Sequence, residues 1–173
     1  MTQDALTNSS ASDDAAFTIT REFDASREAV FRAWTEPEQL ERWWGPVGFA
    51  LTVAGIDPRP GGTFLYRMRN DAGFDMWGRF VYREIVRPER MVYVSSFSDP
   101  SGGIVRAPFS AEWPLETLST MVFEDLGGRT RLHLHGVPIN AAEAEIRTFK
   151  AGHESMRQGW GGTMDQLAAH LAG

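Results

Sequence analysis

The chain has 173 residues, with 17 Lys and Arg against 23 Asp and Glu, 42% hydrophobic residues and a net charge of −6. That length fits one domain with a core large enough to leave a cavity, and scattered basic residues on an acidic chain exclude a nucleic-acid binder, which needs clustered positive surface. The lack of Cys removes disulfides, thiolate catalysis, zinc ribbons and iron–sulfur clusters together, and points to the reducing cytoplasm.

The opening stretch, Met1 to Ala16, carries Asp4, Asp13 and Asp14, no basic residue, and neither the positive start nor the apolar run of a secretory signal. It reads as a disordered acidic tail ahead of a domain over residues 17–173. No run of eighteen apolar residues occurs, so no membrane span is expected.

Phe17 to Phe23 alternates apolar and polar residues, the period of a half-buried strand. Ser26 then has the place of an N-cap for a helix through Val30, Ala33 and Trp34. Thr35-Glu-Pro-Glu38 is a second start signal, with Thr35 as cap and Glu38 as the carboxylate of a capping box. The helix it starts carries Leu40, Trp43 and Trp44 and stops at Gly45-Pro46.

Beyond Phe49 the punctuation changes to turn residues at strand spacing, beginning with Asp57-Pro-Arg-Pro-Gly-Gly62. The segments between turns read as antiparallel strands over Phe49–Asp57, Thr63–Asn70, Asp75–Val86, Arg90–Ser98, Thr117–Glu124 and Thr130–Val137, seven with the first. The stretch from Ser98 to Leu115 is longer than a hairpin needs and holds Phe109 and Trp113, a pattern frequent in functional loops.

Asn140-Ala-Ala-Glu143 is another capping box, and the apolar positions from Ile146 through Leu171 advance by threes and fours. They predict one closing helix, about 30 residues and ~45 Å long if unbroken. Its glycines 152, 159, 161 and 162 imply close backbone approach or a bend. The whole predicts an α+β grip in which a curved sheet wraps the last helix.

These residues resemble a known family. Phe23 to Glu38, Arg42-Trp-Trp-Gly-Pro46, the Asp57–Gly62 turn, Glu84-Ile-Val-Arg-Pro-Glu-Arg90, Gly128-Arg-Thr-Arg-Leu132 and Gly159 to Leu171 occur in the order found in the START-like, SRPBCC superfamily. Within it, the chain is similar to homologues of the activator of the heat-shock protein 90 ATPase. The resemblance implies a helix-grip (birch-pollen-allergen-like) fold whose cavity, between sheet and long helix, holds a lipid-like or aromatic molecule in many relatives and serves cyclase or hydrolase chemistry in a few.

Alternation places Phe64, Tyr66 and Met68 on the sheet face toward the helix, and Met121 and Phe123 with them. Together with Trp77, Phe97, Trp113, Met156 and Trp160 they are the candidate lining of an apolar pocket, and Trp44 is the candidate for closing its mouth. The same residues also suit a filled core. His153 lies in the apolar stripe of the closing helix, either as a core histidine bonded to a neighbour or as a ligand and proton-transfer contact.

His133 and His135 share a strand face but lack a third ligand in sequence, and Leu132 and Leu134 claim the core side, so no metal is expected. Asp57, Glu84 and Glu112 sit near strand ends as candidate acid–base groups. No nucleophile motif, phosphate loop, dinucleotide fingerprint or paired-carboxylate signature is present, so no cofactor is expected. The leading expectation is a binding module for a small hydrophobic or aromatic molecule. The alternatives are a cofactor-independent cyclase-, isomerase- or hydrolase-like enzyme and an interaction module, either chaperone-linked or homodimeric, using Trp43, Trp44, Phe109 and Trp113.

Overall fold

The computed structural model describes residues 14–173. Strand β1 (Phe17–Phe23) leads into helices α1 (Arg27–Ala33) and α2 (Pro37–Trp43). Strands β2 (Ala50–Ile56), β3 (Thr63–Arg69), β4 (Asp75–Val86), β5 (Arg90–Ser98), β6 (Ile104–Val105), β7 (Glu116–Asp125) and β8 (Thr130–Ile139) follow. Helices α3 (Glu143–Ala151) and α4 (His153–Ala172) close the chain.

All eight strands belong to one antiparallel sheet, ordered β1-β8-β7-β5-β4-β3-β2, with β6 beside the end of β5. This is the α+β helix grip that the resemblance implied. The seven expected strands return with ends moved by at most two residues, and the eighth, β6, lies in the stretch expected to be a loop. The core sits between the concave sheet face and the helices, and α4 packs on β1, α1 and α2.

Turn chemistry explains one motif directly. A Cβ on Gly62 would overlap the carbonyl oxygen of Asp57, while the Gly62 carbonyl accepts from the Tyr82 amide, so the Pro-Gly-Gly turn folds tightly back onto β4. Ser26 caps α1 as expected, its hydroxyl accepting from the Ala29 amide at 3.2 Å.

Two other caps differ from expectation. Thr35 does not start α2: its hydroxyl donates back to the Phe31 carbonyl at 3.0 Å, closing the end of α1, and Glu36 takes the N-cap position ahead of Pro37. Asn140 and Glu143 form no capping box either. Asn140 takes a positive φ of 51°, α3 begins three residues later, and Glu145 accepts from the Ala142 amide at 2.8 Å. In both places the periodicity located the helix, but several Ser, Thr, Asn and Glu residues competed for the cap.

The single closing helix divides at Gly152. A Cβ there would stand 3.0 Å from the Trp113 ring, so the glycine admits an indole against the helix junction. Gly162 meets Val47 in the same way at 3.1 Å, whereas Gly159 and Gly161 face open space.

The expected acidic tail lies outside the described residues except for its last three. Of these, Ala15 is buried and its carbonyl accepts from His153 Nε2 at 2.7 Å. Among the described residues no helix is long and apolar enough to cross a membrane.

Candidate functional site

Strand register builds the floor of the site. Phe17 pairs with Gly136, Gly136 with Ser119 and Ser119 with Tyr93, so these four make one row across the concave face. The next row holds Thr117, Ser95 and Phe80, and the one beyond it Phe97, Gly78 and Tyr66. A Cβ on Gly78 would overlap the Tyr66 ring, which therefore lies flat across β4. Opposite this floor stand Phe149 from α3, Met156 and Trp160 from α4, and Trp44 from the turn after α2.

That turn is held in place from α4. Thr163 Oγ1 and Gln166 Nε2 both donate to the Gly45 carbonyl, at 3.0 and 2.8 Å, and Gly45 supplies the positive φ of 106° that the turn requires. Trp44 is thereby presented inward, its ring 5.5 Å from Trp160 and 6.0 Å from Tyr66.

Three adjoining chambers lie between floor and roof. The outer one, about 300 Å³, opens between Pro46, Phe109 and Gly159. The inner one, about 180 Å³, lies over the Gly136–Ser119–Tyr93 row. A side chamber of about 130 Å³ runs under Phe97 toward Leu115. Tyr66 and Trp113 wall all three, and among the described residues no Asp, Glu, His, Lys or Arg lines any of them.

Of the expected lining, Trp44, Tyr66, Met68, Phe97, Trp113, Met156 and Trp160 do border these chambers. Phe64, Met121 and Phe123 face inward but are sealed in the core, Phe123 against Phe31 at 5.0 Å. Trp77 is a correction: it pairs with Arg67 on the outer face, where the Arg67 guanidinium lies 5.7 Å above its ring. His153 borders no chamber. It packs between Phe17 and Phe149 and spends Nε2 on the Ala15 carbonyl, the core reading of the two left open.

Sequence reasoning missed Tyr93, Ser95, Thr117, Ser119 and Gly136 on the floor. The alternation that selected Phe97 and Met121 assigns Tyr93, Ser95, Thr117 and Ser119 to the same face, but their hydroxyls disguised them.

The remaining candidates lie elsewhere. Asp57 pairs with Arg59 and Glu84 with Arg90 on the surface, and Glu112 accepts from Thr148 at 3.5 Å. His133 bonds Glu124 on the outer face at 2.8 Å, and among the described residues no group of three His, Asp or Glu is placed to hold a metal. Trp43 is buried inside its own chain, with Nε1 donating to the Ala33 carbonyl, so neither it nor the inward Trp44 offers a surface for a partner.

Burial pushes the Tyr66 and Tyr93 phenols far above their ordinary value, so both remain protonated donors at physiological pH. The Tyr93 hydroxyl and Trp44 Nε1 are both shut off from solvent, with Ser119 beside the first and Tyr66 beside the second.

One charged clasp holds the wall containing Trp113. Arg106 donates to the Trp113 carbonyl at 3.2 Å and pairs with Glu145, the same carboxylate that accepts from the Ala142 amide. That amide first, and then Arg106, hold the Glu145 carboxyl below its ordinary value of 4.5. A depressed folded pKa contributes stability that is full above the unfolded value and lost as pH falls through the folded one. Amide protection over residues 107–115 is therefore expected to weaken ahead of the sheet as pH falls below the ordinary carboxyl value of 4.5, and Glu145→Ala to show the same weakening at neutral pH. Equal protection in both proteins, measured by hydrogen exchange, would remove the clasp.

A sequence model of Activator of Hsp90 ATPase homolog 1-like proteins matches residues 24–172. Among solved structures, a protein of Arthrobacter aurescens is 30% identical with a TM-score of 0.76, covering 91% of this chain and 86% of its own. A protein of Mycobacterium smegmatis is 24% identical at a TM-score of 0.75, covering 92% of each chain. One from Chromobacterium violaceum is 25% identical at 0.71, covering 91% of this chain and 97% of its own. Comparison with curated proteins finds no match.

Proposed function

The chain belongs to the family of Activator of Hsp90 ATPase homolog 1-like proteins, and on that premise we propose that it is a cytoplasmic binding module enclosing a small hydrophobic or aromatic molecule between the sheet and helices α3 and α4. The observation that carries this reading is the set of adjoining chambers walled by Tyr66 and Trp113 and, among the described residues, free of charged side chains. Ligand pockets are mostly apolar with a few placed polar groups, and the Tyr93, Ser95, Thr117 and Ser119 hydroxyls supply those groups. An apolar cavity of about 150 Å³ suffices for benzene, and the inner chamber, at about 180 Å³, passes that mark.

The enzyme alternative needs a proton carrier in the lining, and among the described residues the titratable groups there are tyrosines whose pKa values burial has raised out of range. The interaction alternative keeps one of its four aromatics largely in solvent: Phe109 is 63% exposed, and its ring still leans on Phe97 and Trp113.

Native mass spectrometry of the protein purified from its own host is expected to show a co-purifying small molecule. Gly136→Leu, whose side chain would grow into the inner chamber beside Thr117 and Ser119, is expected to lose it. Protein that carries nothing and takes up no naphthalene-sized probe would overturn the proposal.

A further inference from the structure

The three chambers meet at two rings, and each ring sits on a glycine. Tyr66 and Trp113 are common to all three linings. A Cβ on Gly78 would overlap Cζ, Cε2 and the hydroxyl of Tyr66, so the far end of the phenol lies on bare β4 backbone. Gly78 itself lines the side chamber, and the ring laid on it therefore stands between that chamber and the other two. From the opposite side comes Trp113, seated against Gly152 at the junction of α3 and α4, where a Cβ would be 3.0 Å from the indole.

The Tyr66 ring cannot yield toward the core. Phe64 lies 4.7 Å from it and Phe80 5.8 Å, both buried, and Trp44 stands against it at 6.0 Å. A close-packed interior leaves such a ring no second place, so whatever lifts it off Gly78 drives it into the chambers. An apolar space of about 150 Å³ suffices for benzene, and the outer and inner chambers have about 300 and 180 Å³. Each takes a body of one or two fused rings. A rigid plate of three or four would need two chambers at once, through the place that the Tyr66 ring occupies.

We infer that Tyr66, seated on Gly78, is the residue that sets the upper size of the ligand, admitting rigid bodies of one or two fused rings and turning away larger polycyclic ones. This rests on the binding function proposed above and specifies its selectivity. Trp113 on its own glycine completes the divider from the loop side.

Equilibrium dialysis of the full chain against naphthalene and pyrene tests this. Apolar area alone favours pyrene, so the parent's expected preference for naphthalene, about 10-fold or more, is the mark of steric exclusion. Tyr66→Leu removes the divider and should reverse the order, whereas a general packing defect would weaken both probes together. Gly78→Ala should lift the ring into the chambers and weaken naphthalene binding about 10-fold. Beside Tyr66→Leu it should cost no further affinity, because the shorter side chain ends before the atoms that the added Cβ would meet.

Pyrene held by the parent at least as tightly as naphthalene, an order unchanged in Tyr66→Leu, or a Gly78→Ala loss that is absent or persists undiminished beside Tyr66→Leu would each overturn the inference and leave the binding function standing. The first of these outcomes is read on the parent alone and needs no variant to fold. Failure of both probes to bind the parent and the variants would remove both.

Discussion

A chain ending at Asn140 is expected not to fold. The missing segment contributes Ile146, Phe149, Met164 and Leu167 to the core, all at most 6% exposed. At ~1.5–3 kcal/mol for each such side chain their burial is worth about 6–12 kcal/mol, against a total stability of roughly 5–15 kcal/mol for an ordinary domain. The loss also reaches across the molecule, because Thr163 and Gln166 hold the Gly45 turn and Arg21 on β1 pairs with Asp165 at 2.7 Å. Without them the apolar face of β1 and β8 opens to water. Far-UV circular dichroism and amide NMR of the truncated chain should show no cooperative melt and no dispersed spectrum; a native-like sheet surviving in it would mean that the grip is an ornament on a self-sufficient sheet.

That dependence explains why the architecture was readable from sequence and the cavity only in part. Strand positions follow from local period and turn residues, which act over a few neighbours, and so Asp75–Val86 and Arg90–Ser98 appear where alternation put them. Which inward side chain borders empty space is decided by register between strands distant in sequence. Gly78 lies under Tyr66 only because β3 and β4 pair as they do, and the same pairing sends Trp77 outward beside Arg67. An apolar residue on the strand was a reasonable choice, yet the glycine next to it carried the information. The floor hydroxyls were hidden for a related reason. Ser119 and Tyr93 have the parity of core residues and the polarity of surface ones, a local conflict of the kind concentrated at functional sites. His153 fits the opposite pattern: a polar residue in an apolar stripe whose partner, the Ala15 carbonyl, lies in a stretch that composition marked as tail.

Trp34→Ala should be the most damaging single substitution among the cluster of tryptophans behind the site. The ring is 1% exposed, and its centroid lies 4.7 Å from Trp43, 5.2 Å from Trp44 and 6.2 Å from Trp160. Truncating a buried Trp costs about 3–5 kcal/mol, the transfer loss plus the void left behind. For a domain of this size that lowers Tm by roughly 6–20 °C. Two conservative variants separate packing from hydrogen bonding. Trp34 Nε1 has no partner among the described residues, so Trp34→Phe forfeits ring area and no bond. Trp43 Nε1 donates at 2.9 Å to the Ala33 carbonyl, one of the acceptors a helix end leaves open, so Trp43→Phe also strands that group. Thermal melts should therefore rank Trp34→Phe as the mildest, Trp43→Phe next and Trp34→Ala last. The void would open behind Trp44 and Trp160, two walls of the outer chamber, so Trp34→Ala should also loosen the hold on any occupant there. A Trp34→Ala protein that melts within ~2 °C of the parent would show that α1 and α2 are not the rigid frame on which Trp44 is carried.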